Sequence, residues 1–428
     1  GNRNFDFDGQ LYAGYSVMEG KDFHFQYESN QIDLDSVRYF DLFVPTGNLD
    51  ENNKPEAFSI GSRIEHLQGV LLVDAPNNKS GRKDIPIFPS LQSKGNSFVF
   101  YDRTDTQGGV YTRDSFYFEI APFSFDHLDR YGPQDVKFKG ELFSNGMFPE
   151  IKETLVLQDD QSLGFTTETP TEGYPAYDDK GTFTGEMKLD NNGLLGKGRL
   201  NYLQAVVDAE DFTFMPKRTT ASADAFDLEE DRVGEIPVPE VHGEAVNLEW
   251  RPYSDSLIVK SAEAPFELYQ ANDHQLEGTL VLTPSGLRGS GNLGWSLGEA
   301  QSTIFSFGAN SAIADTMLIK INVLEVDDRL GLETGNVNGT LDYDEGIGHF
   351  EANDESVITT LPYNQYTTSM NKFDWDMKGS TITFESDKDN PALFTSIHPD
   401  QDSLQFFGEE ATYDLKSSLL AIHGVDYI

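Results

Sequence analysis

The chain has 428 residues, and 72 acidic against 31 basic side chains leave it a formal charge of -41. A charge of that sign repels phosphate backbones and anionic lipid heads within a Debye length, which excludes nucleic acid as a partner. Cysteine is absent, so no disulfide or thiolate metal site holds the fold and no cysteine nucleophile is available.

Aromatic residues make up 12% of the chain, with 31 Phe and 18 Tyr. Such rings pack best on pleated, half-buried strand faces, so an all-β fold with little helix is expected. The length exceeds what one core usually holds, which predicts two to four domains. No apolar run reaches the roughly 18 residues that span a bilayer, so no transmembrane segment is expected. Residue 1 is Gly rather than Met, and the final run Ile422-His423-Gly424-Val425-Asp426-Tyr427-Ile428 is apolar and strand-like. Both ends lead us to expect a processed or partial chain that continues past Ile428.

From the start, apolar and polar residues alternate with the period of a half-buried strand. Examples are Phe5-Asp6-Phe7-Asp8, Asp22-Phe23-His24-Phe25-Gln26-Tyr27, Ser115-Phe116-Tyr117-Phe118-Glu119-Ile120 and Asp211-Phe212-Thr213-Phe214. Turn clusters such as Asp190-Asn191-Asn192-Gly193, Pro284-Ser285-Gly286 and Asp342-Tyr343-Asp344-Glu345-Gly346 separate such runs and predict hairpins. Residues 203–209 and 309–314 come nearest to helical spacing, yet are read as strand or loop. Residues 45–54 and 76–83 are read as mobile surface loops.

An internal repeat organises the middle of the chain. Residues 185–202 (GEMKLDNNGLLGKGRLNY) lie over residues 278–295 (GTLVLTPSGLRGSGNLGW) at an offset of 93, and without a gap the same offset carries Phe212 and Phe214 onto Phe305 and Phe307. A weaker third copy begins at Val337-Asn338-Gly339-Thr340-Leu341, and Phe7-Asp8-Gly9-Gln10-Leu11 opens in the same way. The period is longer than the 20 to 50 residues of solenoid coils. Tandem β-sandwich or curved antiparallel-sheet (β-jellyroll) units are therefore expected. Polarity peaks divide the chain into an N-terminal β domain (1–150), two β repeat units (151–235 and 236–330) and a C-terminal unit (331–428).

Few motifs carry chemistry. Gly289-Ser290-Gly291-Asn292-Leu293-Gly294 satisfies the dinucleotide glycine pattern, but no helix follows it to hold a pyrophosphate, so hairpin or bulge glycines are the better reading. Residues 193–197 fall short of a phosphate loop for the same reason. The eight histidines, at 24, 66, 127, 242, 274, 349, 398 and 423, form no pair at metal-ligand spacing on one element. No G-x-S-x-G elbow is present. Asp374 and Asp376, in Phe373-Asp374-Trp375-Asp376-Met377, share one strand face at about the separation glycosidase carboxylates use. A solvated surface face is the simpler account, and no catalytic or cofactor-binding residue is assigned. Asp374, Asp376, Asp6 and Asp8 are the cation candidates, with Ca²⁺ the ion considered. Tyr174, Tyr177, Tyr253, Tyr363 and Tyr366 lie in turn-like segments that suit either a sugar-stacking platform or packing over a sheet edge.

The end of the chain, from Leu393-Phe394-Thr395-Ser396 through Ala411-Thr412-Tyr413-Asp414-Leu415 to Leu420-Ala421-Ile422-His423-Gly424-Val425, resembles one turn of the OstA-like β-jellyroll of lipopolysaccharide-transport proteins. The repeated units also look like segments of large cell-envelope proteins of the Bacteroidota. Asp35-Ser36-Val37, Asp255-Ser256-Leu257, Asp315-Thr316-Met317 and Asp402-Ser403-Leu404 are similar to the O-glycosylation signal of that phylum. The resemblance implies export to the periplasm or cell surface, associated with the outer membrane. A non-catalytic scaffold or interaction protein, with envelope proteins or glycan as partners, is the leading expectation. A lipid conduit is the second, and would need an open apolar groove rather than a filled core at Met187, Leu189, Leu280 and Leu282. A glycan-binding or glycan-cleaving protein is the third.

Overall fold

A computed structural model of the chain describes residues 3–49, 55–269, 273–324, 329–386 and 390–425. Strand accounts for 63% of the described residues. Helix among the described residues is limited to three single 3₁₀ turns, Pro133–Asp135, Pro252–Ser254 and Pro399–Gln401. The all-β expectation therefore holds, as period-2 alternation requires. Residues 203–209 and 309–314 fall largely on the strands Ala205–Met215 and Ser311–Asn322.

Two compact units are present, residues 1–198 with 211–219, and residues 199–210 with 220–428. The sequence limits at 150 and 235 coincide with hairpin connections, Leu142 pairing with Ile151 and Val233 with Ile236. The limit at 330 coincides with the first residue of the strand Leu330–Asp342. Polarity peaks mark turns inside a unit as readily as linkers between units.

In the first unit, Phe5–Ala13 pairs with Ser16–Gln26, which pairs with Gln31–Leu49, which pairs with Ile64–Leu72. The ladder then divides. One branch continues through Ser90–Ser93 to Ser124–Phe125. The other runs through Ser97–Phe100, Phe116–Ile120, Lys137–Ser144, Ile151–Leu157 and Leu163–Glu168 to Gly181–Asp190. Of the loop expected at 45–54, residues 45–49 belong to a strand and 50–54 lie outside the described residues. The other expected loop, 76–83, is organised around the buried Asn78, whose Nδ2 donates to Asp74 Oδ2 at 2.7 Å and to the Lys83 carbonyl at 2.7 Å.

The second unit holds two ladders that share long strands. The first uses Ser256–Lys260, one half of each of His274–Thr283, Gly286–Trp295, Gly298–Gly308, Ser311–Asn322 and Leu330–Asp342, and then Ile347–Ala352, Lys372–Asp376, Thr381–Glu385, Glu410–Asp414 and Leu419–His423. Residues 426–428, the end of the apolar run noted above, lie outside the described residues. The other halves of the shared strands form the second ladder, in which Val241–Arg251 pairs with Phe266–Leu268 and which ends in Thr359–Leu361, Tyr366–Thr368, Ala392–Ser396 and Gln405–Gly408. The inner faces of the two ladders meet, with Trp295 and Trp375 rings 6.1 Å apart.

A shared strand must bend to serve both ladders, and it bends where the register breaks. Register shifts fall between Gly289 and Gly291, between Ala314 and Met317, and between Met317 and Ile319. Gly291 takes a φ of +133°, and a Cβ there would lie 2.1 Å from the Glu277 carbonyl oxygen. Only glycine allows both that dihedral and that approach. The so-called dinucleotide motif is thus a bent strand, and Gly289 in it is packed against the Phe307 ring.

The repeat reaches the level of strand boundaries. Gly181–Asp190, Gly193–Tyr202, Ala205–Met215 and Arg218–Leu228 return as His274–Thr283, Gly286–Trp295, Gly298–Gly308 and Ser311–Asn322. Each start is displaced by the same 93 residues. Gly198 and Gly185 repeat the bend, with φ of +148° and +140°. Inward positions of both copies are filled, since Met187, Leu189, Leu280 and Leu282 are buried.

Candidate functional site

Each of the four cation candidates has a partner within the protein. His349 Nδ1 lies 2.7 Å from Asp374 Oδ1 across neighbouring strands, on a solvated face. Asp376 turns away from that pair to accept the Gly379 backbone N–H at 2.7 Å, closing the turn between its strand and the next. The N-terminal pair behaves alike, Asp6 meeting His24 and Asp8 accepting the Asp22 N–H at 2.9 Å. Each such bond ties one oxygen of the carboxylate to its own turn. Among the described residues no group of three or more His, Asp or Glu is placed to hold a metal.

The five tyrosines read as a possible sugar platform have separate structural places. Tyr177 is fully buried, its hydroxyl donating to the Met215 carbonyl at 2.8 Å, so it cannot stack on a solvent-borne ring. Tyr174 faces Phe183 across a ladder, and Tyr366 donates to Gln401 Oε1 at 3.2 Å. Tyr253 is exposed in a 3₁₀ turn, while Tyr363 is half-buried with the Arg329 guanidinium 5.9 Å from its ring.

In the first unit a polar cleft of about 460 Å³ gathers Asp41, Glu65 and Asp102 with Arg63 and Arg103. Its charges are matched internally. Arg63 Nε meets Asp41 Oδ1 at 3.1 Å, and Arg113 bridges Asp102 at 2.8 Å and Glu65 at 3.2 Å. Arg103 is held by Asp105 and the Gly61 carbonyl. Burial lifts the Asp41 carboxyl above its ordinary value, and Arg63 opposes that rise.

The second unit has a site of a different nature, where turns of both its ladders converge around a cavity of about 350 Å³. From the first ladder come Asn310, Tyr343 with Asp344, and Met377 with Lys378; from the second come Tyr269 with His274, and Trp295. The floor is aromatic. The His274 ring stands edge-on to Tyr343 at 4.3 Å and to Tyr269 at 5.3 Å, and lies parallel to Trp295 at 6.1 Å. Tyr269 is itself pinned, donating to the Ser311 carbonyl at 2.9 Å.

Several polar atoms of this floor are sealed from solvent and unpartnered among the described residues: both imidazole nitrogens of His274, Tyr343 Oη and Trp295 Nε1. Asp273 Oδ1 comes within 2.9 Å of His274 Nδ1, but without hydrogen-bond geometry. Burial lowers the His274 pKa and raises those of Tyr269 and Tyr343, so the imidazole and both phenols are neutral at neutral pH. The rim is charged and internally tied, Ser296 donating to Asp273 at 3.0 Å, Asn310 to Asp344 at 3.2 Å and Lys378 to the Asp344 carbonyl at 2.6 Å. Neutral floor groups held by packing can stack a flat ligand and exclude water.

Sequence reasoning noted His274 only as one of eight scattered histidines and Trp295 only as the end of a repeat. The repeat carried a usable signal, since Trp295 and Tyr343 occupy the positions of Tyr202 and Trp250, whose rings are 5.4 Å apart. An aromatic pair that returns at the same offset is a paired contact. His274 falls where the first copy has Gly181, so the imidazole is specific to the second copy. No known family model matches the chain, and no curated protein matches it.

Proposed function

We propose that the chain is a non-catalytic interaction protein of a bacterial cell envelope, exported to the periplasm or the cell surface. The observation that carries this reading is the contrast between the two copies of the repeat. Strand limits and bend glycines return, while the groups that line the aromatic cavity change, Gly181 giving way to His274. A conserved frame with a varied lining is how β frameworks carry binding surfaces, function lying in the site rather than in the fold. The strong acidity and the OstA-like end of the chain support the envelope setting. A lipid conduit is less well supported, because Met187, Leu189, Leu280 and Leu282 are buried where an open groove was required.

The test is incubation of the purified chain with envelope and plant polysaccharides, measuring both retention and release of reducing ends. Retention on one of them without release is the expected result. Turnover that disappears in the Asp374→Asn, Asp376→Asn double variant would sink the non-catalytic reading.

A further inference from the structure

We infer that the cavity floored by His274, Trp295 and Tyr343 is a binding site for one neutral sugar ring. The inference rests on the reading of the chain as a binding protein and adds the ligand class. The cavity, at about 350 Å³, has the size of a small-molecule site. Its floor presents rings, and its rim presents acceptors on Asp273, Asp344 and the Ser296 hydroxyl oxygen together with the remaining N–H groups of Asn310 and Lys378.

That combination selects among ligand classes. An anion meets two carboxylates on the rim and a chain of charge -41. A fatty chain would cover the rim groups without pairing them, which costs their hydration. A bare cation would suit the rings and the rim carboxylates but offers no acceptor to the N–H groups of Asn310 and Lys378. A pyranose has an apolar C–H face that stacks on an aromatic ring and equatorial hydroxyls that both donate and accept. It alone answers the rings and the mixed rim together. His274 Nε2 and the Tyr343 hydroxyl, buried and without a hydrogen-bond partner among the described residues, lie beneath this surface and give a stacked ring a polar underlayer.

The experiment titrates the full chain with methyl glucoside, methyl galactoside, methyl mannoside, N-acetylglucosamine, maltose and cellobiose. Binding is read by saturation-transfer NMR and by tryptophan fluorescence, and tetramethylammonium and inorganic phosphate serve as charged probes. Saturable binding of at least one neutral sugar, weakened about tenfold or more by Trp295→Leu and by a smaller factor in Asp273→Ala, is the expected outcome. Asp273 is exposed, so its variant folds even if the tryptophan variant does not. The proposal is overturned if no neutral sugar binds at about 10 mM, if both variants bind as the parent does, or if tetramethylammonium or phosphate binds in place of sugar. Polysaccharide retention that persists in Trp295→Leu and Asp273→Ala would refute this site while leaving the binding-protein reading intact.

Discussion

Gly278 and Gly291 face each other across the hairpin formed by His274–Thr283 and Gly286–Trp295, and the Cα of Gly278 lies 2.8 Å from where a Cβ on Gly291 would stand. Neither strand could bend from one ladder to the other with a side chain at that point. Gly291→Val, and Gly198→Val in the first copy, should each lower stability by about 1 to 3 kcal/mol. Gly294 is the control, with nothing within 4 Å of its Cβ position. Gly294→Ala should stay within about 0.5 kcal/mol of the parent in urea titrations. Equal losses at 291 and 294 would remove the bend argument.

Tyr177 and Tyr269 both take left-handed backbone angles, φ of 51° and 61°. Tyr177 donates to the Arg218 carbonyl at 3.1 Å and Tyr269 to the Ser311 carbonyl at 2.9 Å, residues equivalent in the two copies. Removing the hydroxyl takes from a part-buried carbonyl its side-chain donor. Tyr269→Phe should cost about 1 to 2 kcal/mol, measured by chemical denaturation. A neutral effect would show that solvent satisfies Ser311.

The His274 imidazole, with its pKa lowered chiefly by burial against a partial opposing effect of Asp273, sets a pH dependence. The unfolded chain takes up this proton near its ordinary value of about 6.5, before the folded chain does. Stability contributed by the neutral ring is therefore full above that pH and is lost as pH falls toward the depressed folded value. Comparison of the parent with His274→Gln in denaturant titrations at several pH values should show a steeper acid-side loss in the parent. Parallel profiles would contradict it.

Asp374→Asn should leave stability within about 0.5 kcal/mol of the parent, because its partner His349 is also on a solvated face. Asp376→Ala should cost more, by about 0.5 to 1 kcal/mol, through loss of the acceptor for the Gly379 N–H. Millimolar calcium is expected to leave the melting temperature of the parent unchanged, as measured by scanning fluorimetry. A calcium-dependent rise absent from the double variant would restore the cation reading.

The strands were legible because alternation with period 2 is a direct imprint of a one-sided core, and the repeat was legible because glycines that permit a bend tolerate no substitute. Gly185, Gly198, Gly278 and Gly291 carried that information in plain view. The candidate pocket was not legible. Its members sit in five different turns, and turns reveal their chemistry only when a ladder brings them level. Tyr177 was misleading for a related reason: a tyrosine in a Pro-containing turn reads as exposed, whereas here its hydroxyl reaches back to a buried carbonyl. Asp376 read as half of a carboxylate pair because alternation gives the face of a residue but says nothing of the backbone donor three positions on.

The first ladder of the second unit keeps the order of the chain from Ser256–Lys260 to Leu419–His423, with strands of the second ladder intervening in sequence before His274–Thr283, Lys372–Asp376 and Glu410–Asp414. The turns from Thr283 to Gly286, Trp295 to Gly298 and Gly308 to Ser311 are short, which favours rapid zippering from these central hairpins. The same order makes neighbours the main source of support for each strand, so melting can proceed in stages inward from a frayed end. A single denaturation midpoint for this chain would then average over segments of different resistance, and amide exchange should grade along the ladder, fastest at Leu419–His423 and slowest among the bent strands between Gly278 and Val337.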